Sequence, residues 1–134
     1  MTLIRHAVSH PHRLQWWQWG QILGVALPLL LLSSGLHHPL LWAVAVHFFI
    51  DFTVQTDETA AGKRQRKSQV LLYHAFIAGG YVGLILAGLP GLILSAIIHL
   101  LIDATDKFGR TGLVGGLLDQ TAHLATLFFI WWLL

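Results

Sequence analysis

The chain contains no cysteine. Disulfides, thiolate-held metals, iron–sulfur clusters and haem attached through Cys are therefore excluded, and the redox compartment leaves no mark. Charge is nearly as scarce. Asp, Glu, Lys and Arg make up 10 % of the 134 residues and hydrophobic residues 55 %, whereas a soluble globular chain carries about 25 % charged residues. So few charges argue against a soluble monomer of this size, and so much apolar content argues against disorder. What is there in unexpected number is histidine: nine, beside six acids.

Long apolar runs give five candidate membrane helices, from about Gly20 to Ser34, Pro39 to Gln55, Gln69 to Gly88, Pro90 to Thr105, and Leu113 to the C-terminus. Several are shorter than the roughly 20 residues of a straight span, so interfacial flanks or a thinned bilayer must make up the length. All eight basic residues fall in three places: Arg5 and Arg13; Lys63, Arg64, Arg66 and Lys67; Lys107 and Arg110. With five spans and a cytoplasmic N-terminus, all three places face the cytoplasm, as the positive-inside rule requires. The expected fold class is an all-α membrane protein, a bundle of five transmembrane helices (a four-helix core plus an N-terminal helix), N-in and C-out. The first run has signal-like features, a basic start and Ser33-Ser34-Gly35 after a short apolar stretch, but is read as a retained helix. Residues 1–19 read as a segment lying on the cytoplasmic surface, and 20–134 as one transmembrane domain. Trp16, Trp17, Trp19, Trp42, Trp131 and Trp132 all fall near predicted interfaces, where indole anchors a helix.

Three acids lie inside the predicted spans, each four residues from a histidine: His47 and Asp51, His99 and Asp103, Asp119 and His123. That spacing puts both side chains on one helix face, one turn apart. His74 adds a fourth imidazole on the third span. Counted from the cytoplasmic helix ends, the seven groups share a layer roughly 3 to 15 Å deep. An Asp at the centre of a membrane helix costs about 2.5 to 3.5 kcal/mol, so three must be paired, protonated, hydrated or bound to a cation. His and carboxylate are the usual ligands of Zn²⁺, Fe and Mn²⁺. His47, Asp51, His74, His99, Asp103, Asp119 and His123 are therefore candidate ligands for one or two divalent ions. Asp51, Asp103, His99 and His123 come first among them. Asp119 is a candidate general base, with Gln55 and Gln120 orienting ligands. A neutral network of His–Asp hydrogen bonds and a proton or ion path are the competing readings.

The ordered motifs H-F-F-I-D-F-T-V-Q (His47 to Gln55), L-L-Y-H (Leu71 to His74), H-L-L-I-D (His99 to Asp103) and L-D-Q-T-A-H (Leu118 to His123) carry a resemblance. They resemble the small bacterial membrane proteins grouped as domain of unknown function 3307, over about residues 41–134. The resemblance implies a multi-pass protein of the bacterial inner membrane and marks the same His, Asp and Gln positions as its signature. It implies no reaction. A looser likeness, by analogy only, is to membrane-bound metal-dependent hydrolases.

The leading functional expectation is an intramembrane metal protein, with metal-dependent hydrolysis as its reaction. The alternatives are an accessory subunit of a larger membrane complex, structural or with histidines on haem or a pigment, and a metal or proton carrier. Paired Asp residues beside a porphyrin make haem the less natural cofactor. The outer halves of the spans, such as Ile85-Leu86-Ala87 and Phe128-Phe129-Ile130, offer a carrier no ionisable residue. Membrane lipids are the expected partners, with protein partners in a complex next and nucleic acid not expected. The basic cluster Lys63 to Lys67 reads as a topology signal attracted to anionic headgroups.

Overall fold

A computed structural model describes residues 16–105 and 112–134. Most of the predicted surface segment 1–19 lies outside the described residues, as do Arg5, Arg13, Asp106, Lys107 and Arg110. Among the described residues every regular element is helical. Helix α1 spans Trp16–Ser34 and so begins before Gly20, taking Trp17 and Trp19 into the helix. Helix α2 spans Pro39–Phe48, with Pro at its start where the missing N–H costs nothing. It runs on into a π-helical segment, Phe49–Val54. The chain then bends by 96° into α3, Asp57–Arg64.

Helix α3 falls in the connection between the second and third predicted spans. Its local chemistry explains it. The Thr56 hydroxyl accepts the Thr59 N–H at 3.1 Å, while Asp57 and Glu58 sit in the first turn and Lys63 and Arg64 in the last. That is an N-cap with charges of the favourable sign at both dipole ends. Arg66, at φ 54°, closes the helix: its N–H donates to Lys63 O and that of Lys67 to Gly62 O, both at 3.0 Å. This is a Schellman turn.

Helix α4, Ser68–His74, continues through a second π segment, Ala75–Gly80, into α5, Tyr81–Ala104. The whole run of 37 residues would measure about 55 Å as one rod, nearly twice a hydrocarbon core of about 30 Å. It does not stay one rod. Ala87 leaves the helical region, and Gly88 takes φ 63° and ψ −145°, a conformation essentially confined to glycine. The chain folds back there, and Gly83 faces Gly91 so closely that a Cβ on either would strike the other's backbone carbonyl. The two arms, 68–86 and 89–104, match the predicted third and fourth spans. Helix α6, Gly112–Leu133, packs on α5, and α2 packs on both; α1 lies against α2 and the first π segment.

Ser68–Ala104 and Leu113–Leu133 are each long and apolar enough to cross a membrane, and the bent pair Pro39–Val54 and Asp57–Arg64 passes the same test when joined. Burial is inverted relative to a soluble domain. Leu29, Leu30, Leu32, Ile93, Ile97, Leu101, Phe128 and Phe129 face outward, while the buried set among the described residues holds four histidines, three aspartates and a lysine. Exposed apolar surface of this extent marks contact with lipid or another protein, and a chain with its charges inside fits a membrane protein. The apolar core is small: Leu40, Ala43, Val82 and Leu127. Leu40 and Ala43 precede His47 on α2, Val82 follows His74 and Leu127 follows His123, so this core lies toward the Gly88 turn and the polar residues gather at the other end.

Candidate metal centre

The polar end brings His47, Asp51, His74, His99, Asp103, Asp119, Gln120 and His123 into one buried or nearly buried cluster, drawn from four helical stretches. Within each i, i+4 pair the ring nitrogen and carboxylate oxygen approach to 3.9 Å (His47–Asp51), 3.5 Å (His99–Asp103) and 3.8 Å (Asp119–His123). The helices that carry them come close because the intervening residues are small. A Cβ on Gly79 would lie 2.6 Å from His99 Cβ and 2.9 Å from Ser95 O. Both π segments adjoin the site: the first contains Asp51, the second follows His74. The Gln55 N–H reaches back five residues to Ile50 O at 3.1 Å. Such π segments are rare and frequently sit at functional sites.

The cluster has two halves. In the first, hydrogen bonds link Asp51, Gln120 and His47. Gln120 donates through Nε2 to Asp51 Oδ2 at 2.7 Å, and its Oε1 accepts from His47 Nε2 at 3.1 Å. The carboxylate can only accept, which fixes the orientation of the amide. His74 Nε2 lies 2.8 Å from Asp51 Oδ1. Both oxygens of Asp51, a leading ligand candidate from the sequence, are thus engaged by neighbours.

Lys63 belongs to this half, and the sequence reading missed it. Its ammonium lies 2.9 Å from Asp103 Oδ2, 3.0 Å from His74 Nε2 and 3.7 Å from Asp51 Oδ1. The residue is 8 % exposed. It therefore does not share the headgroup-facing role assigned to the basic cluster; its neighbours Arg64, Arg66 and Lys67 are exposed. Burial works against its charge, but the carboxylates of Asp51 and Asp103 outweigh it, and the lysine pKa is raised. It is a fixed cation rather than a nucleophile. The available signal was the run Ala60-Ala61-Gly62 before it, small residues that let α3 lie against α4: a Cβ on Gly62 would meet Val70 Cγ2 at 2.8 Å.

The second half is different. His99 Nε2, His123 Nε2 and Asp103 Oδ1 are buried and have no hydrogen-bond partner. His99 Nε2 stands 3.5 Å from Asp103 Oδ2 and His123 Nε2 stands 3.6 Å from Asp103 Oδ1, too long for good hydrogen bonds. Two ligands of one tetrahedral ion, each about 2.0–2.2 Å from it, are roughly 3.4 Å apart. Their ligand atoms all lie within 4.8 Å of one another; Asp51, His74 and His99 form a second such trio, and Asp51, Asp119 and His123 a third. The His99 and His123 rings lie tilted by 30° with centroids 4.0 Å apart, which leaves no gap between them for a porphyrin.

A cavity of about 10 Å³, room for at most one water, lies beside these rings, lined by His47, Gly79, Ser95, His99, His123 and Thr126 among others. Ser95 and Thr126 were not anticipated; they lie one turn along the chain from His99 and close to His123. Gln55 was paired with Gln120 as an orienting residue. Gln120 makes those contacts, whereas Gln55 Oε1 is buried without a hydrogen-bond partner. His37 and His38, in the connection between α1 and α2, are exposed.

Comparison with curated proteins and with solved structures gave no match. A family model does match, over residues 40–134, which covers every residue of the cluster and leaves α1 outside. The chain thus belongs to the family described as "Protein of unknown function (DUF3307)".

Proposed function

We propose that this chain is a multi-pass protein of the bacterial inner membrane in which His99, Asp103 and His123 hold one divalent cation. The observation that carries the reading is a pair of buried imidazole nitrogens without hydrogen bonds, at 3.5 and 3.6 Å from the two oxygens of one buried carboxylate that itself has none. Left empty, each such atom costs about 1–3 kcal/mol in lost hydration; an ion satisfies all of them. Two imidazoles and a carboxylate suit Zn²⁺ and non-haem Fe²⁺, with Mn²⁺ also accommodated. In this orientation α1, the 39–54 stretch, the two arms and α6 cross the bilayer, with α3 and the basic residues on the cytoplasmic side.

Three protein ligands with a position left open is the arrangement of catalytic rather than structural metal sites. A metal so held acidifies a bound water, the chemistry of hydrolysis. Asp119, whose carboxylate lies 3.8 Å from His123, is the base in this reading, and the substrate is a small or lipid-borne ester, phosphoester or amide. Elemental analysis of the purified chain tests the site. One zinc, iron or manganese per chain is expected, falling below a tenth in His99→Ala, Asp103→Ala and His123→Ala. Metal-free wild-type protein after growth with all three ions would sink the reading. Loss of hydrolysis of such esters on chelation, with recovery on adding metal back, tests the reaction class.

A structural network is the second reading, favoured by the hydrogen-bonded half around Gln120, Asp51 and His74. It accounts for that half alone.

A further inference from the structure

The metal reading leaves open whether the cluster takes one ion or two, since it offers more ligands than one ion uses. The position of Lys63 answers this. Its ammonium is set among Asp103 Oδ2, His74 Nε2 and Asp51 Oδ1, at 2.9, 3.0 and 3.7 Å. One imidazole nitrogen and two carboxylate oxygens are the donors a second divalent ion would use. The ammonium is already in the middle of them, held by a capped helix whose end is locked by the Schellman turn at Arg66.

A second divalent ion beside the ammonium would set like charges at close range in a buried site, which is costly. We infer that Lys63 is a tethered cation filling the second position of the cluster, so that the centre is mononuclear and α3 closes it from the cytoplasmic side.

This inference rests on the metal reading, and the test separates the two. The full chain, purified in detergent, is equilibrated with Zn²⁺ alone, freed of loosely held ion, and its zinc counted per chain. Wild-type and Lys63→Arg are expected to hold one ion and Lys63→Ala two. A wild-type chain holding none overturns the metal reading itself. A wild-type chain holding two, or a Lys63→Ala chain that still holds one beside a wild-type chain with one, overturns the inference and leaves the metal reading standing. A second measurement does not depend on the variant folding. Amidination of the zinc-loaded wild-type protein is expected to modify exposed Lys67 at least tenfold faster than Lys63; equal rates overturn the inference.

Discussion

At the scale of single residues, the cluster is decided by which polar atoms have partners. Gln120 is the clearest case, because one amide satisfies Asp51 and His47 together. Gln120→Leu keeps the bulk but strands a carboxylate oxygen and a ring N–H, which costs about 1–3 kcal/mol for each lost partner. Denaturant unfolding of the detergent-solubilised protein is expected to show a loss of that order. Zinc content should stay at one per chain, because Gln120 touches none of the three proposed ligands. A loss of zinc together with unchanged stability would show that the two halves of the cluster are one site. The His and Asp positions were legible in the sequence because an acid in an apolar run is expensive and its i+4 neighbour is readable. Lys63 was not, because a lysine in a basic run looks solvated until the helix that buries it is seen.

At the scale of elements, small residues let the two arms of the 68–104 run meet. A Cβ on Gly79 would press on His99 Cβ at 2.6 Å, whereas one on Gly80 would rest at 3.7 Å from Leu92 Cγ, an ordinary contact. Gly79→Leu is therefore expected to displace His99, cost about 1–3 kcal/mol through overpacking, and lower zinc occupancy at least tenfold. Gly80→Ala should leave both unchanged. Zinc content and unfolding of the two variants side by side check this, and equal effects would refute the close approach. The helix limits were largely readable from apolar run length, Pro39 and Gly88 included. The π segments were not, since one extra residue in a turn leaves hydrophobic periodicity almost unaltered; tertiary packing around Asp51 and His74 selects them. Helix α3 was readable in principle from the cap at Thr56 and the acids after it, but its eight residues are too few to be stable without the contacts that Lys63 and Val70 supply.

At the scale of the whole molecule, the orientation in the membrane carries the prediction. The absence of native cysteine makes single-cysteine variants free of background. Leu36→Cys, in the exposed connection after α1, is expected to react with a membrane-impermeant maleimide on right-side-out vesicles. Gln65→Cys, exposed at the end of α3, is expected to react only after the vesicles are opened. The reverse pattern would invert the proposed topology and put the His/Asp cluster on the outer side.

Sequence by itself determined the apolar runs and the polar groups embedded in them. Apolar runs can be stable only in lipid or a packed core, and an acid within them demands a partner; both are local energetic facts. Only the tertiary structure decided who the partners are. It bound Asp51 to Gln120 and His74, left His99 Nε2, His123 Nε2 and Asp103 Oδ1 without hydrogen bonds, and brought Lys63 in from a helix turned by 96°. Those outcomes depend on distances between groups far apart in the chain, and a buried ion pair or ligand set changes character within about an ångström. Periodicity places residues on a face; the packing of faces decides which atoms meet.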